Sequence, residues 1–369
     1  MNTKQIVLGA VMLSASAALV VAWQGPPAPA GYTNASVVLG AVDTAAADRL
    51  CSTAKGHSRL VCLADTLKKD LNPALAAKLQ LPYSVAYAKK WSNFPPGIYR
   101  TRIGPTLGEF SPAQLVVVKA LLKEAAGIAA DEGYDEIEQI LNADDYLKEH
   151  APNPGAFASG NYHLAFLGTP AATGTWQLYF GGHHLATSST FKDGSFSGGT
   201  PSFRGVEPFT RFTQNGRDNA PMAQEQQAFA AMLGALSADE RTKATLSQTF
   251  TDIIVGPQRD DNFPTTRTGV RVGDLSPAKQ ELVIQAMRTY VRDIAQPRAD
   301  VVELRYRARL ADTFVAFSGT PTLTAENDYV RIDGPSVWIE VSIQPGRAIP
   351  GIHPHSVWRD RTGDYGGNR

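Results

Sequence analysis

Four of the chain's seven histidines fall in two short clusters, Gly181-Gly182-His183-His184 and His353-Pro354-His355. Imidazole is the commonest metal ligand and the one side chain that titrates near neutrality without perturbation. Clusters of it therefore point to a metal centre or to acid/base chemistry. His353 and His355 are spaced to share one face of an extended strand, the geometry with which two imidazoles grip one ion. Pro354 bears against this, because a polyproline-like conformation splays the rings apart. Read as strand neighbours, His183 and His184 point to opposite faces. His184 then shares the parity of Ala186 and Ser188 and is the better candidate for a polar pocket, with His183 directed to the core. One histidine from the first cluster and two from the second make a three-nitrogen site with an open position. Zinc or copper held there can acidify water or polarise a carbonyl. The competing reading makes all four hydrogen-bonded structural groups. His57, His150 and His163 stand alone and are read as incidental.

Other polar residues near the clusters extend the candidate site. In Val337-Trp338-Ile339-Glu340-Val341 the apolar Val337, Ile339 and Val341 form one face, and Glu340 shares the other with Trp338. A carboxylate in so apolar a strand is a candidate ligand or general base. A solvent-facing edge position or an arginine partner is the alternative. Glu207 is a weaker candidate of the same kind. Arg359 could clamp an anionic substrate, or pair with Asp360 beside it. Serine-nucleophile elbows, phosphate loops, dinucleotide fingerprints and His-Glu-x-x-His helices are absent from the sequence.

The elements that must position these residues are partly written in an internal duplication. Asn93-Phe94-Pro95 and Arg102-Ile103-Gly104 recur as Asn262-Phe263-Pro264 and Arg271-Val272-Gly273. Ser111-Pro112-Ala113 recurs as Ser276-Pro277-Ala278, and Ala165-Phe166-Leu167-Gly168-Thr169-Pro170 as Ala316-Phe317-Ser318-Gly319-Thr320-Pro321. Phe180-Gly181-Gly182 aligns with Ile332-Asp333-Gly334, which sets His183 and His184 against Pro335 and Ser336. The offset drifts only from 169 to 151, so the order of blocks is kept. Ser111 and Ser276 are N-caps with proline at the first helical position. Gln114 completes a capping box, whereas Lys279 does not. Short strands follow: Tyr162–Leu167, Thr175–Phe180 turning at Gly181-Gly182 into Leu185–Thr190, then Thr313–Phe317, Tyr329–Ile332 and Val337–Ile343. The expected fold is α+β: two helix–helix–β-meander units about a pseudo-twofold, with helices packed on antiparallel sheet. The expected divisions are a leader at 1–30, a linker and helical segment at 31–92, a first unit at 93–215 and a helical connection at 216–261. A second unit at 262–345 and a tail at 346–369 complete them.

Bulk properties fit a globular chain. It has 369 residues, 43% hydrophobic and 19% charged, with 35 basic and 35 acidic side chains. Zero net charge offers no field for polyanions, so nucleic acid is not expected as a partner. Lys4 followed by the apolar run Ile6–Ala22 reads as an export signal, cleaved after Ala22 or at Ala28-Pro29-Ala30. An uncleaved membrane anchor is the competing reading. In an exported chain Cys51 and Cys62, with ten residues between them, are expected to form a disulfide.

The chain resembles the domain of unknown function 3500 family. The resemblance rests on Phe166-Leu167-Gly168-Thr169-Pro170, Trp176, Phe180-Gly181-Gly182-His183-His184-Leu185, His353-Pro354-His355-Ser356-Val357-Trp358-Arg359-Asp360 and Asp364-Tyr365-Gly366. It implies that His183, His184, His353, His355, Arg359 and Asp360 form one constellation in an exported globular protein, and it implies no substrate. Between the last two histidines the family more usually carries an aliphatic residue than proline. The functional expectation is an exported metal-dependent enzyme, a hydrolase in the first instance, with copper redox chemistry as a variant. The alternative is a non-catalytic ligand- or metal-binding protein.

Overall fold

The computed structural model describes residues 32–155 and 157–368. The leader expected at 1–30 lies outside them. Among the described residues there are ten α-helices and one dominant mixed sheet. The N-terminal helices are α1 (Thr44–Arg49), α2 (His57–Lys69), α3 (Pro73–Leu79) and α4 (Val85–Ala88). The next pair, α5 (Pro112–Ala125) and α6 (Gly133–His150), precedes the first strands. Each start has a local cause. Asn72 and Ser111 accept from the backbone N–H three residues on, each with proline at the first turn, and Gln114 closes the expected box at α5. Cys51 and Cys62 are disulfide-bonded, tying the end of α1 to α2.

The strands are β1 (Gln80–Leu81), β2 (His163–Leu167), β3 (Thr175–Gly182), β4 (Leu185–Lys192), β5 (Ser195–Gly198), β6 (Ser202–Gly205), β7 (Phe212–Gln214) and β8 (Arg217–Asn219). Helices α7 (Ala223–Gly234) and α8 (Ala238–Ala244) follow, so the connection expected to be helical over 216–261 is helical only in part. Then come β9 (Val270–Arg271), α9 (Pro277–Val291), α10 (Arg298–Ala308), β10 (Phe314–Ser318), β11 (Tyr329–Asp333), β12 (Val337–Pro345) and β13 (Ile352–Asp360).

Eleven strands form the large sheet in the order β1-β2-β3-β4-β6-β13-β12-β11-β10-β9, with β5 paired to β4. Every pairing is antiparallel except β1 with β2, which corrects the expected all-antiparallel sheet. The run 346–369, expected to be a tail, instead supplies β13, a nine-residue strand at the middle of the sheet. Strand period places side chains on the two faces by parity. Leu164 and Phe166 of β2 join the core under α2, α5 and α6, while Ala165 and Leu167 face the other way. Val337, Ile339, Val341 and Ile343 of β12 pack with α7, α9 and α10, and Trp338 faces the opposite layer. That opposite layer contains Trp91, Ile103, Phe203, Ile253, Val255, Val357 and Tyr365, contributed largely by irregular segments folded over the sheet. His353 and His355 share the parity of Val357, so they belong to this second face.

Candidate metal centre

His353 and His355 both stand on β13, and Pro354 does not splay them. Proline is accommodated at the register position opposite Ile343, between His353 opposite Gln344 and His355 opposite Ser342. On the other side of the site, His183 and His184 are not strand residues. They are the two residues of the turn joining β3 to β4, closed by the pair Gly182–Leu185. This corrects the parity argument that separated them. His184 takes a left-handed backbone, φ 58°, and its ring stacks on that of His183 with centroids 3.7 Å apart. The turn is anchored from three directions. The His184 N–H donates to the Asn93 carbonyl, the Gly205 N–H donates to the His184 carbonyl, and the Tyr162 hydroxyl donates to the His183 carbonyl. Gly181 and Gly182 are strand residues whose missing side chains permit close packing. A Cβ at Gly182 would lie 2.6 Å from the Tyr162 ring, and one at Gly181 would lie 2.7 Å from the Leu185 carbonyl oxygen.

These elements bring His184, His353 and His355 together, with one ring nitrogen of each within 4.8 Å of the others. Gly205 of β6 makes the approach sterically possible, since a Cβ there would lie 3.1 Å from Cδ2 of both His184 and His355. Hydrogen bonding fixes one tautomer. His353 Nδ1 is 2.8 Å from the Pro345 carbonyl, which can only accept, so Nδ1 carries the proton and Nε2 presents its lone pair. His355 Nδ1 is 3.0 Å from Asp252 Oδ1, and Gln344 donates to the same oxygen. Asp252 is held below the usual carboxylate range. Burial opposes its ionisation, but the bond to His355, that imidazole's proximity and the Ile253 N–H outweigh it. The Gln344 amide nitrogen is also 2.6 Å from His355 Nδ1, so that ring nitrogen meets both an acceptor and a donor, and His355 Nε2 lies 3.4 Å from His184 Nε2. Two of the imidazoles resist protonation. His184 lies well below the ordinary histidine range, first through burial and then through His183, His355 and His353. Burial and the neighbouring His355 lower His353 to about 2.

His183 stands apart from the three. Its Nδ1 is 2.6 Å from Asp144 Oδ1 on α6, a buried carboxyl whose pKa burial raises against the opposing pull of His183. Stacked on His184 and tethered to a carboxylate, it fixes the ring beside it.

The centre lines a cleft of about 440 Å³. Its walls include Asn93, Phe94, Ile98, Phe157, Glu207, Arg259 and Arg347. Glu207 Oε1 accepts the backbone N–H groups of Arg347, Ala348 and Ile349, so this carboxylate holds the loop between β12 and β13. The structure brings none of Glu340, Arg359 and Asp360 to the histidines. Glu340 is fully buried, and its carboxylate accepts from the Ile254 and Val255 N–H groups, the Tyr329 hydroxyl and the Trp338 indole. Burial, first among its influences, raises its pKa against those four bonds. Arg359 donates to Asp364, Asp260 and the Val255 carbonyl. Asp360 accepts from Thr362, Gly363, Arg305 and Tyr306. In place of the expected base and clamp, these three side chains pin the covering segments and the turn after β13. Sequence reasoning missed Asp252, Gln344, Asp144 and Gly205, which orient or admit the rings. Asn93 lies in the repeated Asn-Phe-Pro block, and that was the one available signal for any residue of this surrounding shell.

Imidazole nitrogens converging at a cleft, that of His353 with its tautomer set by a backbone carbonyl, are the donor set that zinc or copper takes. Fold and site thus define an α+β protein with a large mixed sheet and a three-histidine group able to hold a metal ion. The chain belongs to the family described as Protein of unknown function (DUF3500), whose model matches residues 53–367. No curated protein and no solved structure matches the chain.

Proposed function

We propose that this protein is an exported metal-dependent enzyme, a hydrolase in the first instance, with zinc or copper held by His184, His353 and His355. One observation carries the reading: three buried imidazoles converge at a cleft, with the Nε2 of His353 left as an acceptor. Imidazole lone pairs facing one another repel unless a cation or a ring N–H lies between them, and the lowered His184 and His353 values disfavour an imidazolium there. A metal bound there supplies an acidified water or a polarised carbonyl. The chain's own residues hold the rings through Asp252, Gln344 and the Pro345 carbonyl, and shape the cleft through Phe94, Phe157 and the turn at His183–His184. Export is supported by the leader-like sequence and by the Cys51–Cys62 disulfide, a bond that persists in oxidising compartments.

A second reading, metal binding without turnover, is favoured by one observation. Both carboxylates lining the cleft, Glu207 and Asp252, already accept hydrogen bonds from the protein, which leaves no evident general base. We also read the duplicated blocks as two copies of one unit about a pseudo-twofold between β6 and β13. The strand order supports this, with β2-β3-β4 on one side and β12-β11-β10 on the other. Gly104 and Gly269 support it too, since each has positive φ and lies against the carbonyl of Leu164 or Val315, which pairs Gly104 with Gly269 in place of the Gly273 matched to it in the sequence blocks.

Elemental analysis of protein purified without a histidine tag tests the metal. About one equivalent is expected in the wild-type protein, lost in H353A/H355A; metal-free wild-type protein that gains none on dialysis against zinc or copper refutes the centre. Turnover of a panel of esters and amides by loaded protein separates the enzyme from the binding protein.

A further inference from the structure

The polar groups around the histidine cleft are unevenly occupied. Glu207 accepts three backbone N–H groups through one oxygen, and Asp252 accepts from Ile253, Gln344 and His355. Each carboxylate is engaged several times through one oxygen. The two guanidinium groups on the cleft wall are engaged less. Arg259 makes one hydrogen bond, to the Ile253 carbonyl, and neither Arg259 nor Arg347 has an ion-pair partner among the described residues. Both residues are exposed. An arginine carries five N–H donors in a planar fork, matched to the oxygens of a carboxylate, phosphate or sulfate. Both line the same cleft as His184, His353 and His355.

The remainder of the wall is apolar and open. Phe94 and Ile98 are 40% and 46% exposed, two of only five large hydrophobic side chains so exposed among the described residues, and both line this cleft. Phe157 and Pro95 extend the surface. Asn93 adds one buried side-chain oxygen that has no hydrogen-bond partner. The cleft therefore offers unfilled cationic donors, the unfilled acceptor of Asn93 and an apolar wall.

We propose that the cleft selects an amphipathic organic acid, whose oxyanion is held by Arg259 and Arg347 and whose aryl or alkyl portion lies on Phe94 and Ile98. The assignment rests on reading the histidine cleft as the working site and names its substrate class. A bound divalent ion would add further positive charge, strengthening the preference for an anion over a neutral isostere. Asn93 would accept from a hydroxyl or amide hydrogen of the same molecule.

Calorimetric titration of the full chain tests this, with phenylphosphonate and phenylacetate as probes, 2-phenylethanol as a neutral comparator and inorganic phosphate lacking the apolar part. Each is run with and without added zinc. At least one aryl anion is expected to bind tenfold or more tightly than both comparators, and R259Q/R347Q is expected to weaken it at least tenfold with an unchanged melting temperature. F94A/I98A should weaken the aryl anion while leaving inorganic phosphate unaffected. Equal affinity for anion and neutral comparator, equal affinity in R259Q/R347Q, or no binding of either aryl anion at 10 mM (a limit of about 10⁻² M, weaker than about −3 kcal/mol) overturns the assignment. The arginine dependence is read in the absence of zinc as well, so a failure of metal binding is distinguished from a failure of anion selection.

Discussion

Replacing Asp252 by asparagine keeps the shape of the contact to His355 and removes its charge. The bond is 3.0 Å long and joins a ring N–H to a carboxylate whose ionisation the site favours. Charge-assisted hydrogen bonds are worth about 1.5–3 kcal/mol and are about twice as strong as neutral ones. An asparagine oxygen can still accept from Nδ1, so the loss is about 1–2 kcal/mol in holding His355 with Nε2 free, or about 5- to 30-fold in metal affinity. That range overlaps the 10- to 100-fold effect of removing groups that orient metal-bound histidines. Competition against a chromophoric zinc chelator reads the affinity directly. Thermal unfolding gives a second measure, since ligand at about 100 times its Kd stabilises by about 2.7 kcal/mol and weaker binding cuts that increment. Wild-type affinity in D252N together with lost binding in H355A would show that the imidazole needs no carboxylate. Unchanged affinity in both variants would remove the histidine cluster as the metal site.

Two further outcomes follow from buried groups outside the metal ligands. His163 donates through Nδ1 to the Gly104 carbonyl, and burial lowers its pKa to about 4. The unfolded chain binds a proton near pH 6.5 that the folded chain refuses until about 4, so this group's contribution to stability is complete above pH 6.5 and lost as pH falls through that window. The slope is about 1.4 kcal/mol per pH unit for one proton, and urea unfolding of H163Q between pH 4 and 7 should show it reduced by that amount; an unchanged slope would mean that His163 titrates normally. E340A strands four donors, the Ile254 and Val255 N–H groups, Tyr329 and Trp338, and should lose several kcal/mol of stability at about 1–3 kcal/mol per unsatisfied group. The fraction of E340A that remains folded should bind metal as the wild-type protein does. A stable E340A with weakened metal binding would return Glu340 to the site.

Much of the site was legible because its chemistry is concentrated in rare residues. Two histidine clusters, far apart in the chain, do meet, and the alternation in Val337–Val341 correctly separated the core face from the face of Trp338 and Glu340. The turn was misread because Gly181-Gly182 carries an ordinary turn signal. Here the glycines serve the Tyr162 ring and the β4 backbone instead, and the bend falls one step later on residues with no such signal. The roles of Glu340, Arg359 and Asp360 could not be read locally, because Ile254, Val255, Asp260, Arg305 and Tyr306 among their partners come from segments that only the folded chain brings near. Asp252 and Asp144 were equally hidden, since a single aspartate in an irregular segment or on a helix gives no sign of the imidazole it will meet.

The placement of β13 has a consequence for assembly. Among the described strands it is the last in chain order, yet it is hydrogen-bonded on both sides and contributes two of the three clustered histidines. A growing polypeptide can pair β2, β3 and β4 early, but it holds His184 without its partners until about 170 further residues have emerged, about 500 backbone atoms at three per residue. Capture of an ion by these three rings would thereby be deferred to a late stage of biogenesis. The compartment in which the chain completes its folding would be the one that has to supply it.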